Sequence, residues 1–272
     1  MKPSILITGC SSGIGYFCAK KLSEMDFKLY ATARKEKDVK RLREEGLNAF
    51  KLDVTSSKDI KSAFDFIAED DGKLDILFNN AGFGQPGALE DLSVEALREQ
   101  FETNLFGNFA LTKEMLGLLR NAKNPKIIQN SSVLGYISLK YRGAYNASKY
   151  ALEGLSDTLR LELDPFGIKV CLIEPGPISS EFRKNAYEKF KANIKVEGSF
   201  YESDYVQSIK RFESNKKDPF ALNEDAVFRV LLKIINSKNP KPRYRVTIPS
   251  SIFWFLKRVL STKMLDRVLK NV

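Results

Sequence analysis

The 272-residue chain contains no histidine. That absence excludes histidine-based nucleophilic triads, histidine metal sites and any mechanism that needs an imidazole base. Only three cysteines occur, Cys10, Cys18 and Cys171. Their spacing suits neither a zinc site nor a disulfide framework, so they read as reduced thiols of a cytoplasmic protein, and no metal is expected. No apolar run approaches the roughly 18 residues needed to span a bilayer. The apolar start at Ile5-Leu6-Ile7 is too short for the core of a signal peptide. Internal repeats and low-complexity tracts are also missing.

What is present is a globular proportion of hydrophobic residues, 43%, and a basic excess of 44 Lys and Arg over 34 Asp and Glu, or +10. The basic residues are spread along the chain without a nucleic-acid-binding motif. They read mainly as solvated surface, with an anionic ligand or an acidic lipid surface as the sharper alternatives and no nucleic acid as partner. Residues 1–272 need no second domain, because no linker interrupts them.

Apolar strand-like runs alternate with helical spacing. Strands are expected at Ile5–Thr8, Lys28–Ala33, Asn48–Val54, Leu74–Asn79, Lys126–Ser131, Lys169–Glu174 and Tyr244–Thr247. Helices are expected at Ile14–Met25, Lys37–Glu45, Lys58–Ala68, Ser93–Arg120 (unbroken or broken midway), Ala144–Leu163 and Glu224–Asn236. This order predicts an α/β fold with a parallel sheet between helical layers. The rhythm lapses over 183–223, a charged stretch rich in aromatics. Such a stretch in an enzyme reads as a substrate-covering insertion, or otherwise as a solvated surface excursion.

Thr8-Gly9-Cys10-Ser11-Ser12-Gly13-Ile14-Gly15 joins the first strand to the first helix. Glycines there permit a tight turn and close approach of backbone amides to a pyrophosphate, with the helix dipole behind them. The loop resembles the Thr-Gly-x-x-x-Gly-x-Gly signature of the short-chain dehydrogenase/reductase family. Further segments match in order: Asn79-Asn80-Ala81-Gly82, then Asn104, Ser131-Ser132 before Tyr145-Asn146-Ala147-Ser148-Lys149, and Pro175-Gly176-Pro177-Ile178. The resemblance covers roughly residues 4–182. It extends to the hydroxysteroid and retinol dehydrogenase branch through Tyr30-Ala31-Thr32-Ala33-Arg34 and Lys149-Tyr150-Ala151-Leu152-Glu153-Gly154-Leu155-Ser156. It implies a doubly wound Rossmann fold of about seven strands and an oxidoreductase that moves a hydride between a nicotinamide cofactor and a carbonyl or alcohol carbon. The tail adds a C-terminal amphipathic helix over 248–272.

The resemblance also assigns roles. Tyr145 would exchange the proton of the substrate oxygen, and Ser132, thirteen residues earlier, would hydrogen-bond that oxygen. Lys149 would tune Tyr145 and hold the nicotinamide ribose, and Asn104 would bind a relay water. Tyr145 and Lys149 are four apart on one helix, so they share a face. An ammonium and an oxidised nicotinamide nearby would favour the phenolate. Cofactor contacts are expected from Gly9, Ser11, Ser12, Gly13, Ile14, Gly15, Asp53, Val54, Asn80, Ala81, Gly82, Tyr145, Lys149, Pro175, Gly176, Ile178 and Ser180. Where NAD-preferring folds carry an acid for the ribose 2′-hydroxyl, this chain has Ala33 followed by Arg34, which could pair with a 2′-phosphate. NADP(H) is therefore the expected cofactor and NAD(H) the alternative.

Residues 248–272 carry Ile252, Phe255, Val259, Met264 and Val268 together with Lys257, Arg258, Lys263, Arg267 and Lys270. The pattern reads as a helix packed on the body, or as a peripheral contact with the inner membrane surface. With the aromatics of 183–223 it points to apolar aldehydes, ketones, retinoids or sterol-like alcohols as substrates. The competing functions are an NADP(H) sensor without turnover and a membrane-surface binding protein. The resemblance further implies a homodimer or homotetramer.

Overall fold

Strands form where the sequence offers short apolar runs without a polar face, the pattern of a parallel sheet covered on both sides. The computed structural model describes residues 2–213 and 219–272; residues 214–218 of the expected insertion, and Met1 of the expected domain, lie outside them. Seven parallel strands make one sheet in the order β3-β2-β1-β4-β5-β6-β7. They are β1 (Ser4–Ile7), β2 (Lys28–Ala33), β3 (Ala49–Lys51), β4 (Ile76–Asn79), β5 (Lys126–Asn130), β6 (Lys169–Glu174) and β7 (Arg243–Arg245). The order reverses between β1 and β4, whose register pairs Ile5 with Ile76 and Ile7 with Phe78. A crevice opens at the carboxyl ends of strands at such a switch point.

Alternate residues of β1 feed two core layers, because strand side chains point to opposite faces. Ile5 and Ile7 pack with Phe78, Ile128 and Cys171 beneath α1 (Gly13–Ser23), α2 (Glu36–Glu44) and α9 (Glu224–Asn236). Leu6 joins Leu77, Ile127 and Val170 on the other face, under α3 (Ser57–Asp70), α5 (Asn108–Arg120) and α6 (Gly143–Leu163). Leu231 and Leu111 are fully buried in these layers, where truncation to alanine costs about 2–5 kcal/mol.

Three expectations are corrected. The strand expected over 48–54 spans only Ala49–Lys51, because β3 is an edge strand and pairs solely with β2. The helix expected over 93–120 runs on without a break, one of the two forms expected. After α4 (Val94–Phe101), a π-helical segment, Glu102–Gly107, carries the chain into α5. Gly107 lies so close to the sheet that a Cβ there would sit 2.6 Å from the Val54 carbonyl oxygen. The lapse over 183–223 contains two helices, α7 (Phe182–Asn193) and α8 (Glu202–Glu213). Finally, the tail is two helices, α10 (Ile248–Val259) and α11 (Thr262–Leu269). Ser261 turns extended between them and N-caps the second, a position serine favours. No helix among the described residues is long and apolar enough to cross a membrane.

Candidate active site

Backbone geometry shapes the crevice floor. Gly9 and Gly13 have φ of +72° and +58°, in the left-handed region that L side chains avoid. At Gly15 a Cβ would sit 2.4 Å from the Gly9 carbonyl oxygen, so α1 can approach the loop only without one. Ser12 N-caps α1 but its hydroxyl takes no capping bond, leaving the first amides of the helix for an anion. The Thr8 hydroxyl accepts from the amides of Asn80 and Ala81, each at 2.9 Å, and so fastens the turn after β4 to the end of β1.

From that turn a chain of polar contacts runs to the middle of the site. Asn80 donates to the Thr8 carbonyl at 2.9 Å and its Oδ1 accepts from Asn130 Nδ2 at 2.9 Å. The Asn130 carbonyl accepts from Lys149 Nζ at 2.6 Å. Lys149 lies one turn beyond Tyr145 on α6, with Nζ 5.7 Å from the tyrosine ring centre. Ser132 caps a short turn over Val133–Gly135, its hydroxyl accepting from the Leu134 amide at 3.1 Å. Tyr145 rests on Phe182 at 5.5 Å between ring centres. The structure thus brings together Ser132, Tyr145 and Lys149 at the mouth of the glycine crevice.

Burial sets the titration of this group. It pushes the Tyr145 phenol up to about 12, against the lowering effect of a hydrogen bond with Ser132. Burial likewise brings the Lys149 ammonium down to about 8, opposed by the Glu153 carboxylate. Desolvation is the larger effect on the phenol, and the Lys149 ammonium is turned to the Asn130 carbonyl.

Comparison with known proteins agrees with this geometry. A sequence model described as short chain dehydrogenase matches residues 3–191. The chain belongs to the short-chain dehydrogenase family. It is 39% identical over 273 residues to the oxidoreductase YbbO of Escherichia coli strain K12, covering 100% of this chain and 95% of the relative. A 3-ketodihydrosphingosine reductase of Bacteroides thetaiotaomicron is 36% identical over 248 residues, covering 90% and 88%. An NADPH-dependent 3-dehydrocapnine reductase of Ornithobacterium rhinotracheale is 32% identical over 275 residues, covering 97% and 94%. A solved short-chain dehydrogenase from Streptomyces avermitilis superposes with a TM-score of 0.78 at 26% identity, covering 100% of this chain and 94% of that one.

In this short-chain dehydrogenase the other expected residues fall as follows. Asn104 lies in the π-helical segment, and its amide is committed to the Phe83 backbone and to Ser148: Nδ2 donates to the Phe83 carbonyl at 2.9 Å, and Oδ1 accepts from the Phe83 amide at 3.1 Å. Gly82 packs against it. Ser180 faces Gly13 across the crevice, 3.5 Å from where a Cβ would stand. Pro175 accepts from the Val133 amide at 2.8 Å, and Gly176 leaves room for Thr247 at the start of α10. Ile178 packs against the layer that holds α1. The Asp53 carboxylate accepts from Thr55, and Val54 is buried against Gly107. Ser11 and Ile14 remain partly exposed on the loop. Ala33 is buried beside the loop, and Arg34 is exposed with no hydrogen bond or ion pair among the described residues. The open amides, the Gly15 approach and the missing acid at position 33 fit a dinucleotide. Among the described residues no cluster of three or more metal-ligating side chains occurs.

Several residues around the site gave no signal in the sequence. Asn130 links the cofactor turn to Lys149. Arg41 donates to the Ser11 carbonyl at 2.7 Å and braces the glycine loop. Behind Ser132 lies a buried charge cluster: Glu153 accepts from the Ser131 hydroxyl at 2.5 Å and pairs with Arg243, which also pairs with Asp157 and Glu174. Only Glu153, four residues after Lys149, could have been suspected from spacing.

Proposed function

We propose that the protein reduces the carbonyl of an apolar aldehyde or ketone with NADPH, and oxidises the corresponding alcohol in reverse, using Tyr145 for the proton. Retinoids and sterol-like alcohols belong to the same substrate class. The observation that carries this reading is the convergence of Tyr145, Ser132 and Lys149 at the end of the polar chain from Thr8. The direction is supported by two relatives, both named as reductases.

When bound, the reduced dinucleotide supplies the hydride. The chain's own residues do the rest. Ser132 donates a hydrogen bond to the substrate oxygen and Tyr145 donates its proton to that oxygen as negative charge develops there. A phenol held near 12 is protonated at neutral pH, as an acid must be before reduction. Lys149, positive below about 8, holds the ribose hydroxyls and offsets charge on Tyr145. Asn104 fixes the Phe83 turn, and its main chain holds the relay water. Gly9, Ser11, Ser12, Gly13, Ile14 and Gly15 embrace the pyrophosphate, Asp53 and Val54 the adenine, and Ile178 and Ser180 the nicotinamide amide. NADP(H) over NAD(H) is supported by Ala33 and the unpaired Arg34, and by the NADPH-dependent relative. Fluorescence titration with NADPH and NADH, followed by a panel of apolar aldehydes, ketones and sterols, tests the whole reading. Tight NADPH binding and turnover of one class is expected. Failure to bind either nucleotide would end it, and binding without turnover across the panel would favour the sensor.

Residues 1–272 are read as one oxidoreductase unit in which α7 and α8 form the substrate cover. A peripheral membrane contact is supported by an exposed apolar row on α10, Ile248, Ile252, Phe255 and Val259, continued by Met264 and Val268 on α11. Five basic residues accompany the row against the single acid Asp266. Full-length protein should float with anionic vesicles and a 1–247 truncation should not; equal flotation removes the idea. Assembly as a homodimer or homotetramer is supported by the apolar surface of Leu105, Phe106, Phe109, Ala151 and Leu155. Light scattering of the purified protein reads it directly.

A further inference from the structure

The helix that carries the reacting pair carries a third polar group in step with it. Tyr145, Lys149 and Glu153 follow one another at four-residue intervals on α6, which sets them on one face. Only 7% of Glu153 is exposed. A glutamate is rarely sheltered to that degree unless its carboxylate is paired, and the partners of this one bear on the site.

The first partner is the turn that presents Ser132. Glu153 Oε1 accepts from the Ser131 hydroxyl at 2.5 Å. At Gly135 a Cβ would stand 2.9 Å from Glu153 Cγ, so the turn closes over this residue only without a side chain there. The same turn is tied down further along, where the Val133 amide donates to the Pro175 carbonyl at 2.8 Å. The Tyr136 hydroxyl donates to the Ser250 carbonyl at 2.7 Å. The second partner is Arg243 of β7, whose Nε and Nη2 meet Glu153 Oε2 at 3.1 and 3.0 Å.

The third is Lys149, whose Nζ donates to a neutral carbonyl and forms no ion pair with a carboxylate among the described residues. A buried ammonium is costly alone, and in a site shielded from water an opposite charge one helical turn away acts strongly. Glu153 is the charge that opposes burial at Lys149. The other groups around the carboxylate are Asp157 on α6, Glu174 on β6, Arg243 on β7 and the Tyr136 phenol. Burial raises the Glu153 carboxyl, and its bonds with Ser131 and Arg243 work against the rise. Glu174 is the acid lifted to about 7, so a proton entering the cluster goes there first and leaves Glu153 charged. We propose that Glu153 is a positioning residue of this site: its carboxylate ties the turn of Ser132 to α6 and supplies the negative charge that faces the Lys149 ammonium. The proposal rests on the carbonyl-reductase reading for what Lys149 does, and adds a group outside the reacting residues that sets the pH range of the site.

NMR titration of the full-length, cofactor-free protein labelled with carbon-13 lysine tests it, the Lys149 side-chain signal being assigned through Lys149→Arg. In the wild type that signal should titrate near pH 8. Glu153→Gln keeps the shape and removes the charge, and should lower the midpoint by about one pH unit. Glu153→Asp should recover part of the shift. Ser131→Ala removes the hydrogen bond but leaves the charge, and its midpoint should stay closer to that of the wild type than to that of Glu153→Gln. An unchanged midpoint in Glu153→Gln, or an equal fall in Ser131→Ala, overturns the proposal. Should Glu153→Gln not fold, the wild type still decides. Protonating Glu153 in acid removes the same charge, so the Lys149 signal should show a second inflection below neutral pH, and a flat acid limb overturns the proposal. The NADPH dissociation constant of Glu153→Gln should exceed that of the wild type about fivefold at pH 8 and hardly at pH 6, as the lysine loses its proton earlier. A wild type that fails to bind NADPH strikes the reductase reading instead, and the cofactor-free titrations still decide the role of Glu153.

Discussion

The crevice has two walls built by different means. On the side of β1, β2 and β4, glycines and backbone amides set the shape, and Thr8 and Asn80 tie loop to strand. Opposite, side chains set it: Tyr205 is buried with its hydroxyl between Asp91 and the Ala88 amide, and Tyr141, Phe190 and Tyr201 pack around it. A backbone wall recognises what every dinucleotide shares and tolerates little change, because a missing side chain cannot be substituted. A side-chain wall can be rewritten residue by residue.

The comparison yields predictions that can break it, and the largest concerns the residue at the seam. Tyr145→Phe should lower turnover by about 10²–10⁴, the worth of a positioned acid, while the NADPH dissociation constant stays put. Retained turnover would remove Tyr145 from the chemistry. On the backbone wall, Gly15→Ala should destabilise the protein by about 1–3 kcal/mol, the usual effect of overpacking, and weaken NADPH binding with it. Thermal unfolding and fluorescence titration read both, and an unchanged variant would mean that the loop yields more easily than its 2.4 Å clearance implies. Ala33→Asp should move cofactor preference towards NADH by about tenfold or more, through the lost 2′-phosphate contact and added repulsion. An unchanged ratio of kcat/KM values would place 2′-phosphate recognition elsewhere.

The smallest effect is expected behind the side-chain wall. Burial, then the like charge of Glu153, raise the Glu174 carboxyl from 4.5 to about 7. The folded form therefore holds its proton across that window while the unfolded chain has released it, and stability falls as pH rises from about 4.5 to about 7. Glu174→Gln should flatten this slope in melting temperatures taken between pH 5 and 8. A slope as steep as that of the wild type would assign it to other groups.

Legibility followed the same divide. β2 and β6 lie where the apolar runs predict them, to the residue, because each run is bounded by residues that end a buried strand. Tyr145 and Lys149 could be paired because one helix carries both. The helices α7 and α8 were hidden by their many charged residues, which blur the apolar stripe that betrays a helix. The break between α10 and α11 falls at Leu260-Ser261, two residues that a helix interior accepts. The partners Asn130–Lys149 and Glu153–Arg243 are 19 and 90 residues apart. Contacts made only by folding leave no local pattern.

The three cysteines carry a consequence for the carbonyl reduction proposed above. All are buried, and burial raises each thiol, Cys10 and Cys171 to about 12. Cys10 stands inside the glycine loop itself, yet at neutral pH it stays an inert thiol. Conjugated carbonyl compounds are electrophiles, and thiolates and imidazoles are the side chains that add to their double bonds most readily. A chain without histidine, and with every cysteine thiol kept protonated and shielded, presents few such nucleophiles. Toward conjugate addition such a crevice is chemically quiet.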